Sequence, residues 1–105
     1  MSETRDYSLL CRLLTRVGEA AIIGNVPMLE FFNVRFSKEY ETLFGKNPRL
    51  FSQYEEGSLG YLFGKAKNEL FYYARNSTSL EIGEDKLEEA ILSIEAIEQH
   101  PEFKH

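Results

Sequence analysis

The sequence predicts an all-α protein, an antiparallel four-helix bundle that forms a single domain over residues 1–105. Four segments carry apolar residues at helical spacing, and short breaks rich in Gly, Asn and Pro separate them. No run of alternating apolar and polar residues is long enough to predict a strand. Because 43% of the residues are hydrophobic, the chain can bury one modest core.

The first helix is predicted from Tyr7 to Ile23. Asp6 is the expected N-cap, because its carboxylate can accept a backbone N–H that has no partner in the helix. The pair Gly24–Asn25 ends the helix. Its apolar face is expected to contain Leu10, Leu13, Leu14, Val17 and Ala21.

The second helix lies within "VPMLEFFNVRFSKEYETLFG". Pro27 suits its first turn, where a missing N–H costs nothing, and Gly45 suits its end. The Asn-Pro pair at residues 47–48 predicts a short helical turn, from which Leu50 and Phe51 are expected to enter the core. The buried stripe of this helix is predicted to be Leu29, Phe32, Phe36, Tyr40 and Leu43.

The third helix is predicted from Ser58 to Arg75. Gly60 and Gly64 each weaken it by about 1 kcal/mol relative to alanine, which suggests that another helix approaches closely there. Residues 76–79 are predicted to form a loop. The predicted apolar stripe is Leu59, Leu62, Phe63, Ala66, Leu70, Tyr73 and Ala74.

The fourth helix is predicted from Glu84 to Gln99, and Pro101 stops it. Its inward residues are expected to be Leu87, Ala90, Ile91, Ile94 and Ile97.

Charge is unevenly spread along the chain, which has a formal net charge of -5. Residues 1–54 carry a net charge of +1 and residues 55–105 a net charge of -6. An acidic half repels nucleic acid and anionic lipid, both of which bind through Lys and Arg, and attracts a basic protein. The N-terminus has no secretory pattern, and the single cysteine, Cys11, fits a reducing compartment, so we expect a cytoplasmic protein without membrane contact.

No catalytic pattern is present, and we predict no enzyme activity, no catalytic residue, no metal and no cofactor. The only histidines, His100 and His105, lie in the C-terminal tail, and Cys11 is expected to be a packing residue. A metal-dependent nucleotide hydrolase is the least favoured alternative, because the carboxylates of the second and fourth helices do not converge on a narrow inner face.

The fourth helix carries more acid than its own stability favours. Like charges four residues apart, such as Asp85 and Glu89, destabilise a helix by about 0.2–0.5 kcal/mol. Leu92 projects among Glu88 and Glu95, as an apolar anchor at an interface would. Two explanations remain open, a solvated acidic face and a docking surface for a basic partner.

The third helix has a polar face that contains two tyrosines. Tyr61, Lys65, Asn68 and Tyr72 lie opposite its apolar stripe, and exposed tyrosines are frequent at interfaces. The loop "RLFSQYEE" is an alternative cover for this face. A base-stacking platform is disfavoured by the negative charge.

Three strings resemble the colicin D immunity protein family: "IIGNVPMLEFFNVRFSKEYETLF", "LGYLFGKAKNELFYYARN" and "LEIGEDKLEEAI". The elements that match are Phe32, Phe36, Leu62–Phe63 and Ile82–Leu87, and the resemblance spans residues 9–98. It implies a small acidic four-helix bundle that neutralises a tRNA-cleaving toxin by placing carboxylates where RNA phosphates would lie. The chain departs from the family in its third helix, where Glu69 is the only acid.

We therefore predict an immunity or antitoxin-type protein that binds and inhibits a basic nuclease toxin through an acidic face. The alternative is a non-enzymatic helical module that forms a homodimer or regulatory complex through Phe31, Val34, Tyr61 and Tyr72. The predicted partner-binding residues are Glu55, Glu56, Tyr61, Glu69, Tyr72, Glu81, Glu84, Asp85, Glu88, Glu89 and Leu92.

Overall fold

A computed structural model describes residues 6–75 and 80–103 of the chain, without the side chains of residues 80–84. Four α-helices, α1 (Ser8–Ile23), α2 (Val26–Phe44), α3 (Leu59–Arg75) and α4 (Leu80–Gln99), and one 3₁₀ segment (Pro48–Gln53) make up the fold. The all-α prediction is confirmed, since the described residues contain no strand. None of these helices has an apolar stretch long enough to cross a membrane.

The molecule is elongated, with principal extents of 50 × 24 × 23 Å. Helix α3 is the central element, because it packs against α1, α4 and the 3₁₀ segment, while α2 packs mainly against α1. The core contains residues from all four helices. The side chains at its centre are Leu10, Val17, Phe36, Tyr40, Leu59, Phe63 and Ile97.

Local capping contacts set the helix ends. Helix α1 begins one residue later than predicted, and the carboxylate of Asp6 accepts the backbone N–H of Ser8 at 2.9 Å, although the N-cap position belongs to Tyr7. Asn25 caps α2 by accepting the N–H of Met28 at 3.1 Å. Gly45 ends α2 in the left-handed conformation, with φ 83°, as its position predicted.

The 3₁₀ segment packs along α3 as a cover. Asn47 caps it by accepting the N–H of Arg49 at 2.9 Å, and Pro48 is fully buried. The expectation that Leu50 enters the core is wrong, because its side chain is exposed, whereas Phe51 is half-buried.

Close packing at the two glycines of α3 is confirmed, although the neighbours are aromatic rings and the 3₁₀ segment rather than another helix backbone. The hydroxyl of Tyr40 donates to the carbonyl of Gly60 at 2.5 Å. A Cβ atom at Gly64 would lie only 2.3 Å from Cβ of Phe51 and 3.1 Å from the Pro48 carbonyl. Glycine is therefore required at position 64 for the 3₁₀ segment to pack against α3.

Helix α4 differs from its prediction in two respects. It begins at Leu80 rather than Glu84, and Ile91, which was expected to face inward, is exposed. Within the described residues, the backbones of α4 and α1 do not approach closely, and Ile91 is the one residue of the predicted stripe that is exposed. Ala90 and Ile97 are buried and Leu87 and Ile94 are half-buried, as predicted.

Candidate interaction surface

A groove between the start of α3 and the middle of α4 brings four predicted partner-binding residues together: Glu56, Tyr61, Glu89 and Leu92. The groove has a volume of about 300 Å³. Its remaining lining is Gly57, Leu62, Lys65, Ser93 and Ala96.

A second depression of about 340 Å³ continues the groove along the same two helices. It joins Glu69 and Tyr72 of α3 to Glu89 of α4, and the lysines Lys65 and Lys86 also line it. Six of the predicted residues thus lie along one α3–α4 seam. Two lysines lie among them, so the floor of the seam is not uniformly acidic.

Glu69 is inside the seam rather than on the surface, which corrects its predicted role as a docking residue. Its side chain is 7% exposed. One carboxylate oxygen accepts a hydrogen bond from Lys65 Nζ at 2.7 Å, and the other accepts from Ser93 Oγ at 3.1 Å. Burial raises the pKa of Glu69 above its ordinary value of 4.5, and the hydrogen bond from Lys65 partly offsets this.

Glu89 also has a partner within the chain. Lys86 Nζ lies 3.1 Å from its carboxylate and 5.3 Å from the centre of the Tyr72 ring. The hydrogen bond from Lys86 lowers the pKa of Glu89, with a further lowering through Glu69. Glu69 and Glu89 are therefore part of a structural network with Lys65 and Lys86 that joins α3 to α4.

Four further acids of the predicted site have side chains that the structure describes. Asp85, Glu88, Glu55 and Glu56 are exposed and make no ion pair with any residue that the structure describes. The same is true of Glu95, one turn beyond Leu92 on α4. The side chains of Glu81 and Glu84 lie outside the described residues.

Leu92 is 64% exposed and is the most exposed leucine among the described residues. It stands on α4 among these unpaired acids, with Glu88 and Glu95 on its own helix and Glu56 across the groove. The predicted arrangement of an apolar side chain surrounded by carboxylates is therefore present in the described residues.

The tyrosine face of α3 is largely covered, in agreement with the loop alternative. The ring of Phe51 packs edge-on against Tyr61, with 5.2 Å between ring centres. The amide of Asn68 donates to the carbonyls of Pro48 at 3.0 Å and Gly64 at 2.7 Å. Of the two tyrosines, Tyr72 is the more exposed.

Cys11 and His100 are not among the residues that line the seam. Burial, with a smaller contribution from Glu98, raises the pKa of Cys11 to about 11, so its reactive thiolate form is scarce at neutral pH. His100 accepts the backbone N–H of Glu102 at 3.1 Å, and His105 lies outside the described residues. Within the described part of the chain, no group of three His, Cys, Asp or Glu residues has the geometry to hold a metal ion.

Sequence reasoning missed one polar residue of the core, Lys67, which lines a separate cavity with Arg49 and Arg75. A signal was present in the spacing. Lys67 lies four residues from Phe63 and from Phe71, and so falls on an apolar row of α3.

Comparisons of the chain with protein-family models, with curated proteins and with solved structures found no match in any of the three. The likeness to the colicin D immunity family therefore stays a prediction. Function has to be inferred from the surface geometry and the charges.

Proposed function

We propose that this protein is a non-enzymatic inhibitor of the immunity type, which binds a basic nuclease toxin of the tRNA-cleaving class. Its binding surface is the acidic face, which we define as Glu55, Glu56, Asp85, Glu88, Leu92 and Glu95. The observation that carries the proposal is the exposure of Leu92 beside Glu56, Glu88 and Glu95, which make no ion pair with any residue that the structure describes.

The acidic face has the anatomy of a protein-binding surface. Interfaces commonly combine an apolar anchor that becomes buried with a polar rim that stays hydrated. Leu92 supplies such an anchor, and Glu88 and Glu95 supply the rim. Unpaired carboxylates also raise the rate at which a basic partner is captured, because they steer its approach at low salt.

The buried network behind the acidic face has a supporting role in this proposal. The hydrogen bond from Ser93 to Glu69 joins α4 to α3, and Lys65 holds the Glu69 carboxylate within α3, so together they help to position Leu92 relative to Glu56. The proposal includes an antiparallel arrangement of the four helices, which their short connections favour. It also includes a cytoplasmic location and no cofactor.

Affinity for purified basic tRNase domains, measured across a salt series, tests the proposal. A variant with Asp85→Asn, Glu88→Gln and Glu95→Gln should associate more slowly and lose most of its salt dependence. Leu92→Ala should weaken binding by about tenfold through faster dissociation. Glu30→Gln, an exposed acid on α2, is the matched control and should bind like the unmodified chain.

Two results would argue against the inhibitor. One is binding that does not change with salt concentration. The other is full affinity after the three acids of α4 have been neutralised together.

A second candidate function is a homodimeric interaction module, and exposed apolar residues on α2 favour it. Phe31 and Val34 are both more than half exposed, as their position off the buried stripe predicted. The Phe31 ring packs edge-on against Phe32 and lies under the Arg35 guanidinium, 4.4 Å from its carbon. Light scattering at rising concentration tests this candidate. Phe31→Ser should abolish the dimer, whereas Leu50→Ser, an exposed leucine on the 3₁₀ segment, should not.

A further inference from the structure

A basic cavity of about 440 Å³ lies between α2, the 3₁₀ segment and α3. The described residues that line it include three cationic side chains and no carboxylate. The residues are Asn33, Arg49, Lys67, Asn68, Phe71, Tyr72 and Arg75. The cavity is distinct from the acidic face, which α4 and the start of α3 carry.

Lys67 is the unusual member of this cavity because it is buried without an opposite charge. Its side chain is 4% exposed and makes no ion pair with the residues that the structure describes. The Phe71 ring is its nearest compensating group, with 5.0 Å between Nζ and the ring centre. Burial, together with the charge of Arg49, lowers the pKa of Lys67 to about 8, so the ammonium form still dominates at neutral pH.

Asn33, which also lines the cavity, has a polar atom without a partner among the described residues. Its Oδ1 is buried and has no hydrogen-bond partner, which is uncommon in folded proteins. The neighbouring Asn68 cannot rotate to supply one, because its amide group is held by the Pro48 and Gly64 carbonyls. An ammonium without an ion pair and an acceptor without a hydrogen bond, each judged within the described residues, therefore lie at one cavity.

We propose that this cavity binds a small phosphomonoester. The phosphate dianion would lie against Lys67 and the two guanidinium groups, and the carbon atoms of the ester would pack against the rings of Phe71 and Tyr72 in the same lining. Three cations without an acid favour a dianion over a singly charged carboxylate or phosphodiester. Arginine adds directional pairs of hydrogen bonds that suit phosphate oxygens. The volume accommodates a phosphate with a few carbon atoms.

Calorimetric titration of the full chain with inorganic phosphate and with glycerol 3-phosphate tests the proposal, at ionic strength held constant with sodium chloride. Glycerol 3-phosphate should bind saturably and more tightly than inorganic phosphate, while glycerol and dimethyl phosphate should bind far more weakly. Lys67→Met should reduce the affinity by at least about tenfold. Lys38→Met, the same change at an exposed position of α2, should leave it unchanged.

The folded state of Lys67→Met is checked by circular dichroism. Should that variant not fold, the surface double variant Arg49→Gln with Arg75→Gln decides the question, and it should lose binding as well. Heat signals that do not saturate would overturn the site, and so would equal affinity in the variants and the unmodified chain. Dimethyl phosphate binding as tightly as glycerol 3-phosphate would overturn the monoester assignment. None of these measurements involves a toxin, so their outcome is independent of the proposed inhibitor function.

Discussion

Ser93 of α4 donates a hydrogen bond from its hydroxyl to the buried carboxylate of Glu69 on α3, with 3.1 Å between the two oxygens. Lys65 donates to the other oxygen of the same carboxylate. A carboxylate at this depth is stable only when both oxygens are satisfied. The pairing of α3 with α4, on which the acidic face depends, therefore rests partly on a polar contact.

Ser93→Ala should destabilise the protein by about 1.5 kcal/mol, because it removes a hydrogen bond to a charged and buried acceptor. Urea unfolding followed by circular dichroism measures this. Ser52→Ala, on the exposed side of the 3₁₀ segment, is the control and should stay within about 0.5 kcal/mol of the unmodified chain. An equal effect of the two substitutions would contradict the structural role of the Ser93–Glu69 contact.

Glu69 should make stability depend on pH in the mildly acidic range. The folded-state pKa of Glu69 is raised above 4.5. As the pH rises, the unfolded chain therefore loses the proton of this carboxyl group before the folded chain does. The contribution of Glu69 is then fully present below pH 4.5 and is lost as pH rises through the folded-state pKa. Glu89 has the opposite effect on stability. Its pKa is lowered in the folded state, so its contribution to the free energy of unfolding is present above pH 4.5 and is lost as the pH falls through the folded-state pKa.

Glu69→Gln removes the Glu69 contribution, so the free energy of unfolding should fall less steeply above pH 4.5 in this variant than in the unmodified chain. Denaturant unfolding between about pH 4 and pH 7 measures the slope. Parallel stability curves for the two proteins would show that Glu69 keeps an ordinary pKa in the folded state.

Gly64→Ala should destabilise the protein by about 2 kcal/mol, because the new methyl group would collide with Cβ of Phe51 and displace the 3₁₀ segment. Gly18→Ala on α1 is the matched control. Its Cβ would meet only Leu70 at 3.6 Å, an ordinary contact, so the better helix propensity of alanine should stabilise the protein by up to about 1 kcal/mol. Thermal unfolding distinguishes the opposite signs.

The sequence predicted the helices well because their ends depend on local chemistry. Gly45 ends α2 where the sequence predicted, and Asn25, which was expected only to end the first helix, also caps α2. Burial of Glu69 and Lys67 was not predicted, because it depends on which elements surround α3. The apolar stripe of α3 faces the core, but α4 and the 3₁₀ segment cover further sides, and a single helix pattern does not reveal its neighbours.

The acidic face was predicted in part, and the part that was predicted depends on the pattern of a single helix. Charge spacing along α4 located Leu92 among acids, which is a property of one helix. Pairing of Glu89 with Lys86 was missed, although the two residues are only three apart. The prediction for the fourth helix rested on like-charge pairs four residues apart, such as Asp85 and Glu89, and did not include the opposite charge of Lys86.

Lys67→Met should alter the stability of the protein in alkaline solution. Folding lowers the pKa of Lys67 from 10.5 to about 8. Between pH 8 and pH 10.5 the unfolded chain therefore binds more protons than the folded chain, so the free energy of unfolding increases as the pH rises through this range. Converted to free energy, this pKa change corresponds to a total increase in stability of about 3 kcal/mol. The methionine variant should lack this rise and be more stable than the unmodified chain near pH 7. Lys38→Met should leave the pH dependence unchanged.

Glu95→Lys should increase the stability of the protein while weakening its proposed binding to a basic toxin. Residue 95 lies in the last turns of α4, where the helix dipole favours a cation, and a lysine there would also face Glu98 three residues on. We expect a gain of about 0.5 kcal/mol by denaturant unfolding.

The same charge reversal at Glu30 on α2 should change neither stability nor binding appreciably, because no described ion pair involves it. A stability gain together with unchanged toxin affinity would indicate a solvated acidic helix. A gain accompanied by slower association would indicate that the acids of α4 reduce the stability of the helix in exchange for recognition of a partner.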